Sequence, residues 1–218
     1  MKVLFAILML GLVGCASKDM PPPNWQLNAH SSLNSSVTAY LVGNTKIANL
    51  EFARVRAEIA STGRTDVLAR VELVRCAAYV ASLESKDCVA FQRLLNDAAD
   101  SERVYADYLA GRWVDLNTAL LPIQHRGVVA GEDEVLSSIE DPLSRLVAAG
   151  VLFKLGRTTP DLVILAVKTA SDQGWRRPLL AWLGVAIRRA EELGNNEEVL
   201  RIQRRIDLVT EGTEKRNY

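Results

Sequence analysis

The chain has 218 residues, 49% of them hydrophobic and 24% charged, with 26 Lys and Arg against 26 Asp and Glu. That length and composition suit one compact domain or a short array of helical repeats, and they exclude a chain held open by its own charge. With no basic surplus to neutralise phosphates, nucleic acid is disfavoured as a partner.

Met1 and Lys2 open the chain with a positive charge. Val3 to Leu12 follow as an apolar run too short to span a bilayer as a stable helix. The run ends in Leu12-Val13-Gly14-Cys15. These residues resemble the lipobox of bacterial lipoproteins. The resemblance implies that residues 1–14 are a signal peptide cut after Gly14, that the Cys15 thiol receives a diacylglyceryl group, and that the new amino terminus is acylated. The protein would then hold membrane lipid through Cys15, since each buried methylene contributes about 0.8 kcal/mol and two or more chains anchor stably. Ala16 follows the cysteine. In this family an Asp there favours the inner membrane, so Ala16 implies the periplasmic face of the outer membrane. An ordinary secretory signal with an incidental Cys15 is the alternative.

Residues 15–24 include Pro21-Pro22-Pro23 and show no apolar periodicity. They read as an extended tether reaching roughly 30 Å from the lipid. A proline-rich ligand for a groove-type recognition domain is the alternative.

The body, residues 25–218, is expected to be a single all-α domain, because apolar residues recur at three- and four-residue steps and strand-like alternation is absent. Ala48, Phe52, Val55 and Ile59 form one stripe and Val67, Val71, Val74 and Ala78 the next, which predicts a hairpin across Gly63. Cys76 and Cys88 are the cysteines left beyond Cys15. In an oxidising compartment an even pair predicts a disulfide, worth on the order of 3 kcal/mol for so short a loop. Two buried thiols acting as small apolar residues are the alternative.

Further on, Asp141-Pro142 and Thr159-Pro160 each place a capping side chain before a proline suited to the first helical position. Leu179, Leu183, Ala186, Ala190 and Leu193 form a stripe, and Val199, Ile202, Ile206 and Val209 another. The two should pack antiparallel across Gly194-Asn195-Asn196. Gly43 and Gly63, Gly111 and Gly131, and Gly174 and Gly194 are pairs with a common spacing of 20 residues. That spacing suits a helix of about four turns with a left-handed cap, repeated degenerately.

Two stretches resemble tetratricopeptide-type helix pairs. In one, the turn Gly43-Asn44 precedes small Ala48 and aromatic Phe52; in the other, AIRRAEELGNNEEVLRIQRRI spans Ala186 to Ile206. Val199 and Gln203 depart from the repeat's alanine and aromatic there, and residues 64–180 fit poorly. The resemblance implies an antiparallel helix-hairpin array presenting a surface for protein partners; an irregular helical bundle is the alternative.

No catalytic constellation emerges, so the chain reads as a non-enzyme without a metal or cofactor. His30 and His125 have no carboxylate or cysteine at ligand spacing and read as surface or capping residues. Glu84-Ser85 is similar to the Glu-Ser pair of lytic transglycosylases, but lacks the glycine-rich continuation and reads as a solvated helix end. Glu132-Asp133-Glu134 and Glu140-Asp141 suit a helix N-terminus better than a cation site. Arginines from Arg176 to Arg205 are interleaved with acids, as on a solvated helix face, with a lipid-headgroup or acidic-partner patch at Arg176 to Arg189 the alternative.

Trp175, Arg176, Arg177 and Trp182 are the candidates for a partner-binding surface, with core packing the alternative for the tryptophans. The expected function is a lipid-anchored envelope adaptor that binds another envelope protein. A peptidoglycan enzyme or its activator would need Glu84 or the 132–134 carboxylates in a cleft with shifted pKa. A spacer would show no exposed apolar patch.

Overall fold

A computed structural model describes residues 21–84, 86, 88–131 and 135–214, the last three of these as backbone alone. The lipobox and most of the tether therefore lie outside the described residues. Pro23, at the tether's end, is extended with φ −60° and ψ 149°, and the first helix follows directly.

Among the described residues every regular element is helical, as the periodicity predicts. The N-terminal part comprises α1 (Asn24–Leu41), α2 (Thr45–Ala60) and α3 (Thr65–Ala81). A middle region of shorter pieces holds α4 (Val89–Gln92), α5 (Asp100–Ala110), α6 (Ile123–Ala130) and α7 (Val135–Ser138). The C-terminal part comprises α8 (Pro142–Lys154), α9 (Pro160–Asp172), α10 (Arg176–Glu192) and α11 (Asn196–Glu214). From α8 onward each helix packs on the next, forming a helix-hairpin array, and α3 lies against α8, α5 and α1.

The boundaries follow from capping chemistry. The Asp141 carboxylate accepts the Ser144 amide at 2.6 Å and the Thr159 hydroxyl oxygen accepts that of Leu162 at 3.2 Å, each before a proline. The six paired glycines all sit in the left-handed region, with φ between 64° and 89°. At the Gly194 turn the Asn195 amide donates back to Ala190 O at 2.9 Å. Leu83, at φ 56°, serves the same role at the end of α3, where the Glu84 amide donates to Tyr79 O at 3.0 Å. A side chain in this region costs about 1 kcal/mol. Leu83 offsets that by packing against the main core.

The stripes predicted on α2, α3, α10 and α11 point inward, but one pairing differs. Ala48, Phe52, Val55 and Ile59 are all buried, yet α2 packs far more on α1 than on α3. Helix α1 carries no strong apolar stripe of its own, so its role as the partner of α2 was not visible in the periodicity. Leu193 also departs from its stripe: it caps α10 and is 80% exposed.

Helix α3 is central because two contacts pin it. At Gly150 of α8, an added Cβ would lie 2.9 Å from the Val80 carbonyl carbon and closer still to its oxygen. One residue on, Ala81 O accepts the indole N–H of fully buried Trp182 from α10 at 3.2 Å. Cys76 of α3 and Cys88 are joined as a disulfide with Cα atoms 5.8 Å apart, tying α3 to the start of α4. Gly150→Ala is expected to cost about 1–3 kcal/mol by overpacking. The check is the urea midpoint of Gly150→Ala beside Gly184→Ala, where a Cβ meets nothing within 4 Å; equal midpoints would refute the close α3–α8 approach.

Candidate docking groove

The side chains first expected to form a partner surface are used inside the molecule. Trp175 is the half-buried N-cap of α10 and packs against two apolar clusters. Arg176 Nε donates to Val42 O at 3.0 Å. Arg177 donates to Tyr40 O at 2.9 Å, to Thr45 Oγ1 at 2.6 Å and to Glu84 Oε1 at 3.1 Å. Its guanidinium also stacks 4.4 Å from the Tyr40 ring. Together Arg176 and Arg177 fasten the C-terminal ends of α1 and the start of α2 to α10. These four residues therefore do not form the exposed surface expected of them: Trp182 is fully buried, and Trp175, Arg176 and Arg177 are half-buried, with both arginines donating to backbone carbonyls at the end of α1.

Glu84 is not a free helix end, since it bonds Arg177 and Lys86. Burial pushes its carboxyl up, but the bond to Lys86 and the charges of Lys86 and Arg177 outweigh that and hold it below the usual range. That direction suits a permanent anion rather than a proton donor. Ser85 and Glu132-Asp133-Glu134 lie outside the described residues, and Asp141 is the cap of α8. Among the described residues no group of three or more His, Cys, Asp and Glu could hold a metal.

His125 also differs from expectation. It is 1% exposed, on α6, where its ring lies beside Tyr105 and Tyr108 with Nδ1 3.1 Å from the Tyr108 hydroxyl. Trp113 stacks on Tyr108 at 5.7 Å. Burial lowers the His125 pKa to about 4, against an opposing pull from Asp141. The unfolded chain, with an ordinary imidazole near 6.5, then binds the proton more readily than the fold. Stability is full above about pH 6.5 and falls as pH drops towards 4, a loss of about 3 kcal/mol in all. Urea titrations at pH 7.5 and pH 4.5 should show this fall, and His125→Gln should flatten it; an unchanged slope in the variant would assign the acid sensitivity elsewhere.

A groove open to recognition lies between α9, α10 and α11. Its volume is about 340 Å³. Val163 and Val167 of α9, Leu183 of α10 and Ile202 of α11 make a buried apolar floor, and Ile164 stands at the edge 66% exposed. The rim is charged. Lys168 pairs with Asp172 along α9, and Arg201 makes two 2.6 Å bonds to Glu198 along α11. Both pairs run along one helix, so neither closes the groove. Arg205 is also on the rim and makes no hydrogen bond or ion pair among the described residues, although its charge helps hold Glu198 low.

A larger space of about 500 Å³ beside Cys88 is lined by Lys86, Arg112 and Lys154. Their charges are engaged by Glu84, Asp107 and the Leu109 carbonyl. It has less to offer a ligand than the α9–α11 groove.

The groove residues were missed in the sequence for a definite reason. The run Leu162-Val163-Ile164-Leu165 is apolar around more than one face, which signals a helix buried on one side and exposing an apolar residue on another. No family model, curated protein or solved structure matches this chain.

Proposed function

We propose that this protein is a lipid-anchored envelope adaptor, held by acylated Cys15 at the periplasmic face of the outer membrane, whose α9–α11 groove receives a segment of a partner protein. The groove carries the reading: an apolar floor supplied by three helices, open between two rails of self-paired charge. Such a trough accepts apolar side chains at helical or extended spacing. The Arg205 guanidinium, without an ion-pair partner among the described residues, favours a carboxylate next to those apolar anchors. The partner segment is therefore amphipathic, with two or three apolar residues and an adjacent Asp or Glu.

The anchoring half rests on Leu12-Val13-Gly14-Cys15. It is supported by the Cys76–Cys88 disulfide, a bond that persists in oxidising compartments. Among the described residues no helix is long and apolar enough to cross a membrane.

The test is photo-cross-linking in intact cells from a light-activated residue at Ile164, with the same residue at Gln26, an exposed position on α1, as control. One protein species captured from position 164 and not from position 26 is expected. Arg205→Glu should reduce that capture on the order of tenfold, as for the loss of a charge pair at a partly buried rim. Cys15→Ala should abolish it, because the anchor is what brings the groove to its partner. Equal adducts from both positions, or capture indifferent to Arg205→Glu, would reject the groove as the docking site.

A further inference from the structure

The outward face of α11 carries a pattern unrelated to the groove. Its inward face, Val199, Ile202, Ile206 and Val209, packs against the main core. On the opposite side Glu197, Leu200, Arg204, Leu208 and Glu211 recur at three- and four-residue steps and form one stripe. Leu200 is 60% and Leu208 72% exposed. Leu193, 80% exposed, lies in the α10–α11 turn at the same end as the first turn of α11. Glu197 and Arg204 are exposed and make no ion pair among the described residues.

The order of charges along this stripe selects its occupant. When a second copy of the helix is laid antiparallel about an axis near Leu200, Leu200 meets Leu200, Glu197 meets Arg204, and Leu208 reaches the turn that carries Leu193. Each ion pair occurs twice, because a two-fold contact repeats every pairing. A parallel copy would set Glu against Glu and Arg against Arg. The stripe is thus complementary to its own reverse.

We infer that α11 is a self-association surface through which two copies of this chain pair antiparallel about Leu200. A single helix face buries less than the roughly 1,200 Å² of a standard stable interface, so the pairing is weak and reversible. It leaves the α9–α11 groove to its own ligand, since the groove uses Ile202 and Arg205 rather than the stripe. The inference holds whether or not the groove binds a partner.

The two-fold makes an unusual demand: one cysteine at the axis must cross-link to itself. In the full-length protein in native membranes, Leu200→Cys should give an oxidised dimer of twice the chain mass. Gln203→Cys, exposed on the flank of α11, should give little. In the Leu200→Cys background, Glu197→Arg or Arg204→Glu should each lower the dimer yield on the order of tenfold, since two attractive pairs become two repulsive ones. The combined reversal should restore it. These positions are exposed, so circular dichroism should be unchanged throughout. A Leu200→Cys dimer yield no higher than that of Gln203→Cys, an adduct to a different protein, or no recovery in the combined reversal would each overturn the proposal.

Discussion

The C-terminal turn of α3 is the constraint on which the rest of the molecule depends. Within two residues its backbone carbonyls meet Gly150 of α8 and the Trp182 indole of α10. Close approach of two helices needs a residue without a Cβ at the crossing, and a buried carbonyl needs a donor. Gly150 meets the first requirement and Trp182 the second. The Cys76–Cys88 disulfide then leads the chain from the same helix into the middle region. Leu83, in the left-handed region with its side chain in the core, turns the chain at that point. Packing, a hydrogen bond, a covalent bond and a tight turn therefore converge on about ten residues.

The N-terminal hairpin is attached in a different manner. Its own apolar clusters are small, built on Phe52, Val55 and Ile59 and on Tyr40 and Leu41. Its union with α10 relies on Arg176 and Arg177, which donate to the carbonyls that end α1. Hydrogen bonds from charged donors to backbone carbonyls contribute about 1.5–3 kcal/mol each, more than exposed ion pairs do. The arginines that resemble a ligand site in the sequence thus serve as the fastening between two parts of one domain. Their use there leaves the charges of α9 and α11 as the ones facing outward beside an apolar floor.

Much of the fold was legible because its signals are local. Proline at the first helical position, Asp141 and Thr159 as caps, left-handed glycines and the stripes of α10 and α11 each depend on a few neighbouring residues. The Cys76–Cys88 pairing was legible from the even number of cysteines left beyond Cys15. What could not be read involves separate segments. Nothing near Gly150 in sequence indicates Val80, and nothing near Arg177 indicates Tyr40. His125 sits between polar Gln124 and Arg126, and its burial depends on Tyr105 and Tyr108 arriving from α5. The groove likewise requires α9 and α11 to stand on either side of α10, which no local pattern indicates.

The proposed function rests on two features. The lipobox-like Leu12-Val13-Gly14-Cys15 would fix the chain to a membrane, and the helical body would present a trough of apolar residues between paired charges. The Cys76–Cys88 pair is compatible with the proposed anchor, since disulfides persist in oxidising compartments. The most direct measurement is the intact mass of the native protein taken from its membrane without reductant. The expected mass is that of a chain that begins at Cys15, carries the added mass of acyl groups, and lacks two hydrogens for the Cys76–Cys88 bond. A chain that retains Met1, with Cys15 unmodified and three free thiols, would contradict it.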